Sequence, residues 1–182
     1  MTQRKTLAMV VVLLLAATTA MAQAPGKAPT PGPENKRLGA FVGKWSGTAD
    51  TKASPMGPAG KMSWTETCEW FNGNFAVVCR TDGTGPMGPS KGLGILSYST
   101  EDKTYIYNGI ESTNGEFQTA KGTVQGKVWT WLGDGKMAGK PFKVRYTSTE
   151  VSNDSQSFKF EMSQDAGKTW TLVQEGKSTR AK

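Results

Sequence analysis

From residue 41 onward the chain alternates apolar and polar side chains, run after run, with no helical period between the runs. In the first run Phe41, Gly43, Trp45, Gly47 and Ala49 share one face; Lys44, Ser46, Thr48 and Asp50 share most of the other. That pattern describes a strand with one face buried and one face wet. Nine further runs follow, at about residues 61–70, 75–81, 93–99, 103–108, 116–124, 127–132, 142–149, 157–162 and 169–174. The expected fold is all-β: an antiparallel up-and-down β-barrel of about 8–10 strands. The connections alternate in kind. Tight polar turns follow the second, fourth, sixth and eighth runs, whereas residues 51–60, 82–90, 110–115 and 133–140 form longer connections rich in Gly, Pro or Met. In a meander alternate connections emerge at one end, so the longer ones should ring a mouth and the short ones a closed end. The pattern leaves open whether the last strand meets the first.

The only two cysteines, Cys68 and Cys79, flank a tight turn at residues 72–74. If Gly73 and Asn74 are the central turn residues, the hairpin register sets Cys68 directly opposite Cys79. Centring the turn on Asn72 and Gly73 would set Cys68 opposite Val77 and leave the thiols diagonal. An even pair without C-x-x-C spacing reads as a structural disulfide, and a disulfide belongs to an oxidising compartment.

The amino-terminal segment points to the same compartment. Arg4 and Lys5 precede an apolar stretch at residues 7–17, and Ala20-Met21-Ala22 is a small-x-small cleavage site. Residues 1–22 read as a secretory signal peptide, cleaved near Ala22, with an apolar run too short for a comfortable membrane span. The exported chain would be periplasmic or extracellular. Residues 23–37, with Pro25, Pro29, Pro31 and Pro33, read as a disordered Pro-rich tether, which leaves residues 38–182 as the domain. The whole chain has 22 bases and 15 acids; without Arg4 and Lys5 the balance is 20 to 15, net +5. So mild a surplus does not by itself imply nucleic acid.

Gly43-Lys44-Trp45 on the first strand is similar to the Gly-x-Trp signature of lipocalin-like (calycin) barrels. A longer series resembles the bacterial "domain of unknown function 1579" family: Phe41-Val42-Gly43-Lys44-Trp45-Ser46-Gly47, Phe71-Asn72-Gly73-Asn74-Phe75, Lys91-Gly92-Leu93-Gly94-Ile95-Leu96-Ser97-Tyr98, Lys103-Thr104-Tyr105 and the closing residues 165–180. The chain departs from that family at Ser97-Tyr98-Ser99, where Gly-Tyr-Asp is usual and a turn-capping Asp is lost. The resemblance implies a lipocalin-like barrel and no established activity. It also implies that Trp45 stacks on an arginine near the end of the last strand, which is Arg180 here, with Arg145 as the rival partner.

Catalytic chemistry finds little to work with. The chain has no histidine, so the commonest general base and metal ligand is missing. Both cysteines are committed, and Glu66 and Glu69 fall on opposite faces of their strand, where they cannot cooperate. Ser163-Gln164-Asp165-Ala166-Gly167-Lys168-Thr169-Trp170 matches the Asp box of sialidase-like propellers, yet a single box specifies a hairpin capped by Asp165, not a glycosidase. The chain therefore reads as non-enzymatic, with no catalytic residues, metal or cofactor.

Binding is the remaining reading. The strand at residues 61–70 puts Met62, Trp64, Glu66, Cys68 and Trp70 on one face. Met62, Trp64, Glu66 and Trp70 would line one wall of an interior site for a small, largely apolar ligand, with Met56 and Met87 in loops over the mouth. Glu66 either orients a polar head, such as a cation, or sits at a strand bend or meets an internal base or hydroxyl. A carrier of this kind needs a cavity of about 300 Å³ or more. The competing reading is a solid-cored structural or surface-interaction module. It would bind anionic envelope components through Lys121, Lys127, Lys136, Lys140, Lys143 and Arg145, interleaved with Trp129 and Trp131. Periodicity does not say which face of the seventh strand is inside. Nucleic acid is not an expected partner of an exported chain.

Overall fold

In the computed structural model, which describes residues 28–71 and 73–181, ten antiparallel strands close into one barrel. They are β1 (Gly43–Thr51), β2 (Gly60–Trp70), β3 (Ala76–Gly85), β4 (Gly88–Ser99), β5 (Thr104–Glu111), β6 (Phe117–Gln125), β7 (Val128–Met137), β8 (Lys140–Ser152), β9 (Ser155–Ser163) and β10 (Thr171–Arg180). Every strand pairs with its neighbours in sequence, and β10 returns to pair with β1. The period of two is visible in the burial of β1, where Trp45, Gly47 and Ala49 are buried between exposed Lys44, Ser46, Thr48 and Asp50. The expected signal peptide, residues 1–22, lies outside the described residues.

The β2–β3 hairpin resolves the turn register. Gly73 and Asn74 both have positive φ, 87° and 60°, Cys68 faces Cys79 across the ladder, and the two are disulfide-bonded. The Asp box also forms its hairpin. Both Asp165 oxygens accept the Thr169 amide, at 2.9 and 3.1 Å, and the Ser163 hydroxyl donates to Asp165 at 2.7 Å. These donors favour the ionised form and hold the Asp165 carboxyl down at about 2.

Two connections differ from expectation. Residues 82–90 and 133–140 are not open loops; β3 and β4 turn tightly at Pro86-Met87, and β7 and β8 at Ala138-Gly139. The glycines that suggested loops make room instead. Gly135 faces Phe142 across the ladder, and a Cβ there would overlap the Phe142 ring. Turning is left to Ala138 and Gly139, at φ 49° and 77°.

The tether also ends earlier than expected. Residues 33–37 form a short helix, α1 (Pro33–Arg37), followed by a 3-10 turn at Leu38–Ala40. Pro33 suits the first helical position, where no amide proton is needed. The Asn35 side chain accepts the Gly32 amide at 3.1 Å and donates to the Phe75 carbonyl at 3.1 Å. Leu38 is fully buried. Arg37 lies over the Trp129 ring at 4.8 Å, pairs with Glu150 and donates to the Gly126 carbonyl at 3.1 Å. Phe41, expected on the first strand, precedes β1 and sets its ring 4.8 Å from Trp129. The segment is a plug over the closed end.

The seam is sealed as the resemblance implied. Trp45 stands opposite Arg180 on the ladder, with the guanidinium 4.3 Å from the indole centroid. Arg180 also donates to the Val42 and Asn153 carbonyls and pairs with Asp154 at 3.2 Å. Arg145 lies over Trp170 at 4.3 Å instead and pairs with Glu161 at 2.8 Å. Replacing Arg180 by methionine should therefore cost about 2 kcal/mol, the sum of a cation–π contact and hydrogen bonds from a charged donor. The same change at Arg145, which is about as exposed but among the described residues makes no backbone carbonyl contacts at the seam, should cost less, about 1 kcal/mol. Urea midpoints of the two variants check the ranking, and equal losses would mean that the seam contact is not special.

Candidate functional site

The closed half of the barrel is solid. Leu38, Cys68, Val77, Cys79, Leu96, Tyr105, Trp129 and Trp131 form one buried cluster. Trp129 and Trp131 both point inward and stack, 6.0 Å between centroids at 5°. The Trp129 indole donates to Glu150 at 2.6 Å, which satisfies its one polar atom. Trp70 belongs to this region, packed against the cluster and beneath Gly39 of the plug.

At the opposite end a cavity of about 200 Å³ opens, lined among others by Met56, Met62, Met87, Glu111, Phe160 and Gln174. Met56 is held by a pinched loop in which Ser54 and Gly57 exchange backbone hydrogen bonds, both at 3.0 Å. Met87, on the Pro86-Met87 turn, is 63% exposed and packs against Gly57. Gln174 donates to the Met62 sulfur at 3.0 Å and to the Thr51 hydroxyl at 3.3 Å. The cavity is smaller than the roughly 300 Å³ set for a carrier with its ligand inside the barrel, so that expectation is not met by this cavity, and what it offers is a shallow cup at the mouth for a smaller ligand.

Trp64 and Glu66 lie between cup and core. Trp64 sets its edge to Phe158 at 5.6 Å and lies across Gly47, where any Cβ would overlap its ring. Glu66 points inward and accepts a hydrogen bond from the Thr81 hydroxyl at 3.0 Å. Its oxygen lies within 4.8 Å of both cysteine sulfurs, but these are bonded to each other and have no thiolate to offer a metal.

Of the six proposed ligand contacts, the fold thus brings Met56, Met62 and Met87 together. Trp64 and Glu66 sit deeper, and Trp70 is at the other end.

A second set of polar residues, of which the sequence analysis singles out only Glu66, runs across four strands. Glu66, Thr81, Gly92 and Glu111 face one another in turn across β2, β3, β4 and β5. Gly92 has no Cβ, so the Glu111 side chain lies across it. Tyr107 likewise lies across Gly94 and Gly109. Burial raises the carboxyl of Glu66, against the lowering by Thr81, and raises that of Glu111, with Glu66 adding repulsion. Burial, with Glu111 and Glu66, pushes the Tyr107 phenol up to about 12. Tyr146 is raised by burial, with Glu66 and Tyr107 adding to it. A signal for Glu111 did exist. Tyr105, Tyr107, Gly109 and Glu111 continue one period-two face, which runs past the expected strand end at residue 108 to Glu111.

Both glutamates hold their protons more tightly folded than unfolded. Above the ordinary value of 4.5 the folded chain therefore carries more protons than the unfolded one, and stability falls as pH rises through the raised values. Urea midpoints of the wild type should decline over the range upward of about pH 4.5 relative to those of E66Q/E111Q, which lacks both titrations. A constant difference across that range contradicts the burial of these two groups.

The basic face is less available than its composition suggests. Lys143 pairs with Asp134 at 2.6 Å, Arg145 is held by Glu161 and Trp170, and both tryptophans of β7 are turned inward. Aromatic stacking of an external polymer on Trp129 or Trp131 is therefore ruled out. A larger groove, about 700 Å³, crosses the outside of β2, β1, β10, β9 and β8. It is open to solvent and lined mainly by Thr, Ser, Lys and acidic side chains, with Lys61 already paired to Asp50. The mouth is the better candidate because there apolar contacts and buried polar groups converge. Among the described residues no helix is long and apolar enough to cross a membrane.

Two solved structures share the architecture. Rv2717c from M. tuberculosis has a TM-score of 0.58 at 14% identity, over 83% of this chain and 99% of that one. The S-type phycobiliprotein lyase CPES from Guillardia theta has a TM-score of 0.53 at 9% identity, over 82% and 93%. At such identities the likeness is one of fold alone. No curated protein matches the chain. The family described as "Protein of unknown function (DUF1579)" matches residues 30–180, which takes in both the plug and all ten strands.

Proposed function

Because the chain belongs to the DUF1579 family, whose description gives no activity, we propose a function from the site alone: an exported, non-enzymatic lipocalin-like barrel that holds a small, largely apolar ligand at its mouth. The observation that carries this reading is the convergence of Met56, Met62 and Met87, from the β1–β2 loop, the start of β2 and the β3–β4 turn, on one cavity. Thioethers are flexible and polarisable, and they suit apolar ligands of varied shape. The packed cluster of Leu38, Cys68, Val77, Trp129 and Trp131 below the cup favours a ligand held at the mouth. Export rests on the leader-like residues 1–22 and on the Cys68–Cys79 disulfide.

Native mass spectrometry of the protein purified from its own host should show a bound small molecule. Met62→Trp, which fills the cup, should abolish that adduct while the circular dichroism of the barrel persists. A wild-type protein that carries no adduct from its host, or an adduct that survives Met62→Trp, overturns the reading.

A further inference from the structure

Among the described residues, the two inward glutamates of this barrel are shifted by burial with no basic group acting on them. Its inward titratable side chains above the core are Glu66 on β2, Tyr107 and Glu111 on β5, and Tyr146 on β8. Arg37 and Arg180 are both at the closed end. There Arg37 is committed to Glu150, and Arg180 to Val42, Asn153 and Asp154. Among the described residues no lysine or arginine lines the mouth cavity, whereas Glu111 does. Glu66 accepts one hydrogen bond, from Thr81, and Glu111 is shifted only by burial and by Glu66.

Charge removed from water ordinarily has a counter-charge. Two carboxylates in one interior repel each other and are relieved by protons or by a cation from outside. A hard divalent ion wants six or more oxygen ligands, carboxylates foremost, and the cup supplies one carboxylate, Glu111, among hydroxyl and amide side chains and an apolar wall of Met, Pro, Val and Phe. An anionic amphiphile is worse still, since its head would meet Glu111 with Glu66 behind it. A cation with a carbon body fits both halves of the description: the charge finds a carboxylate, and the body finds methionine and an aromatic ring.

We propose that the ligand is a small amine or quaternary ammonium compound, seated with its charge on Glu111 within the field of Glu66 and its apolar body against Met56, Met62 and Met87. This rests on the reading of the mouth as a ligand cup.

Three probes of matched shape separate the two ideas: phenethylamine, 2-phenylethanol and phenylacetate, titrated into the full folded chain at neutral pH and followed by amide and methionine-methyl NMR. Phenethylamine should shift the Met56, Met62 and Met87 methyls. The alcohol should bind about 10-fold or more weakly, the loss expected for one charge-assisted hydrogen bond, and phenylacetate should not bind. E111Q should weaken the amine about 10-fold and leave the alcohol unchanged, with E66Q having a smaller effect in the same direction. Retained Trp45 and Trp129 indole signals would show that both variants are folded. If amine and alcohol bind alike, or E111Q leaves the amine unaffected, the cationic assignment is wrong and the cup still stands. If no probe shifts the methionine methyls, the cup reading and the assignment fall together.

Discussion

Trp129→Ala should destabilise the barrel by about 3–5 kcal/mol, the range for removing a large aromatic side chain from a core that cannot collapse. The site has little freedom to adjust. Trp129 is wholly buried, stacks on Trp131, takes the Tyr105 ring edge at 4.9 Å and the Phe41 ring at 4.8 Å, and carries Arg37 on its outer face. Its loss also takes the indole donor from Glu150 and the ring from under Arg37, so barrel wall and plug are loosened together. Trp129→Phe separates the contributions, keeping a ring while removing the donor, and should cost about 1–2 kcal/mol more than volume loss alone. The measurement is a urea midpoint at constant slope. A loss under about 1 kcal/mol for the alanine variant would mean that the plug and the stacked pair do not hold the closed end.

The second large effect is expected at the disulfide. Replacing Cys68 and Cys79 together by alanine should cost about 2–3 kcal/mol on the loop-entropy account, because the bond closes only an 11-residue separation. The hairpin itself should survive, since Gly73 and Asn74 and the cross-strand ladder set its register without help from the sulfurs. Thermal unfolding with and without reductant provides the check. Reductant should lower the wild-type midpoint towards that of the double-alanine variant and leave the variant unmoved. A midpoint of the intact protein that ignores reductant would count against a stabilising bond.

What the sequence disclosed and withheld follows from the range of the interactions concerned. Period-two alternation is a property of each strand alone, and it suffices for Trp45, Gly47 and Ala49 to be read as one buried face. The disulfide and the turn constrained each other within a dozen residues. The plug is different. Pro29, Pro31 and Pro33 describe a tether by composition, and α1 exists because Leu38 and Asn35 meet the barrel floor and the Phe75 carbonyl, which residues 33–40 do not encode by themselves. Glycine misled in a similar way. Gly135 reads as a loop until Phe142 is seen leaning over it, and Gly92 has no meaning until Glu111 is found across it. The inward turn of Trp129 and Trp131 was undecidable because both faces of β7 carry apolar side chains. The ligand contacts separated for the same reason. Strand β2 crosses from mouth to floor, so residues that share its face, Met62 and Trp70, lie at opposite ends of the barrel.

Nine of the ten strand pairings join consecutive segments, and the tenth joins Trp45 to Arg180, 135 positions apart. Local hairpins can form as soon as their second arm exists, whereas that last pairing must wait for the whole length between. Any intermediate lacking β10 therefore presents two bare strand borders, those of β1 and β9, each a template for the same border on another molecule. The weakness of this architecture is thus one of timing: an incomplete circle should clump before it unravels, and dilution should rescue refolding where added stability does not.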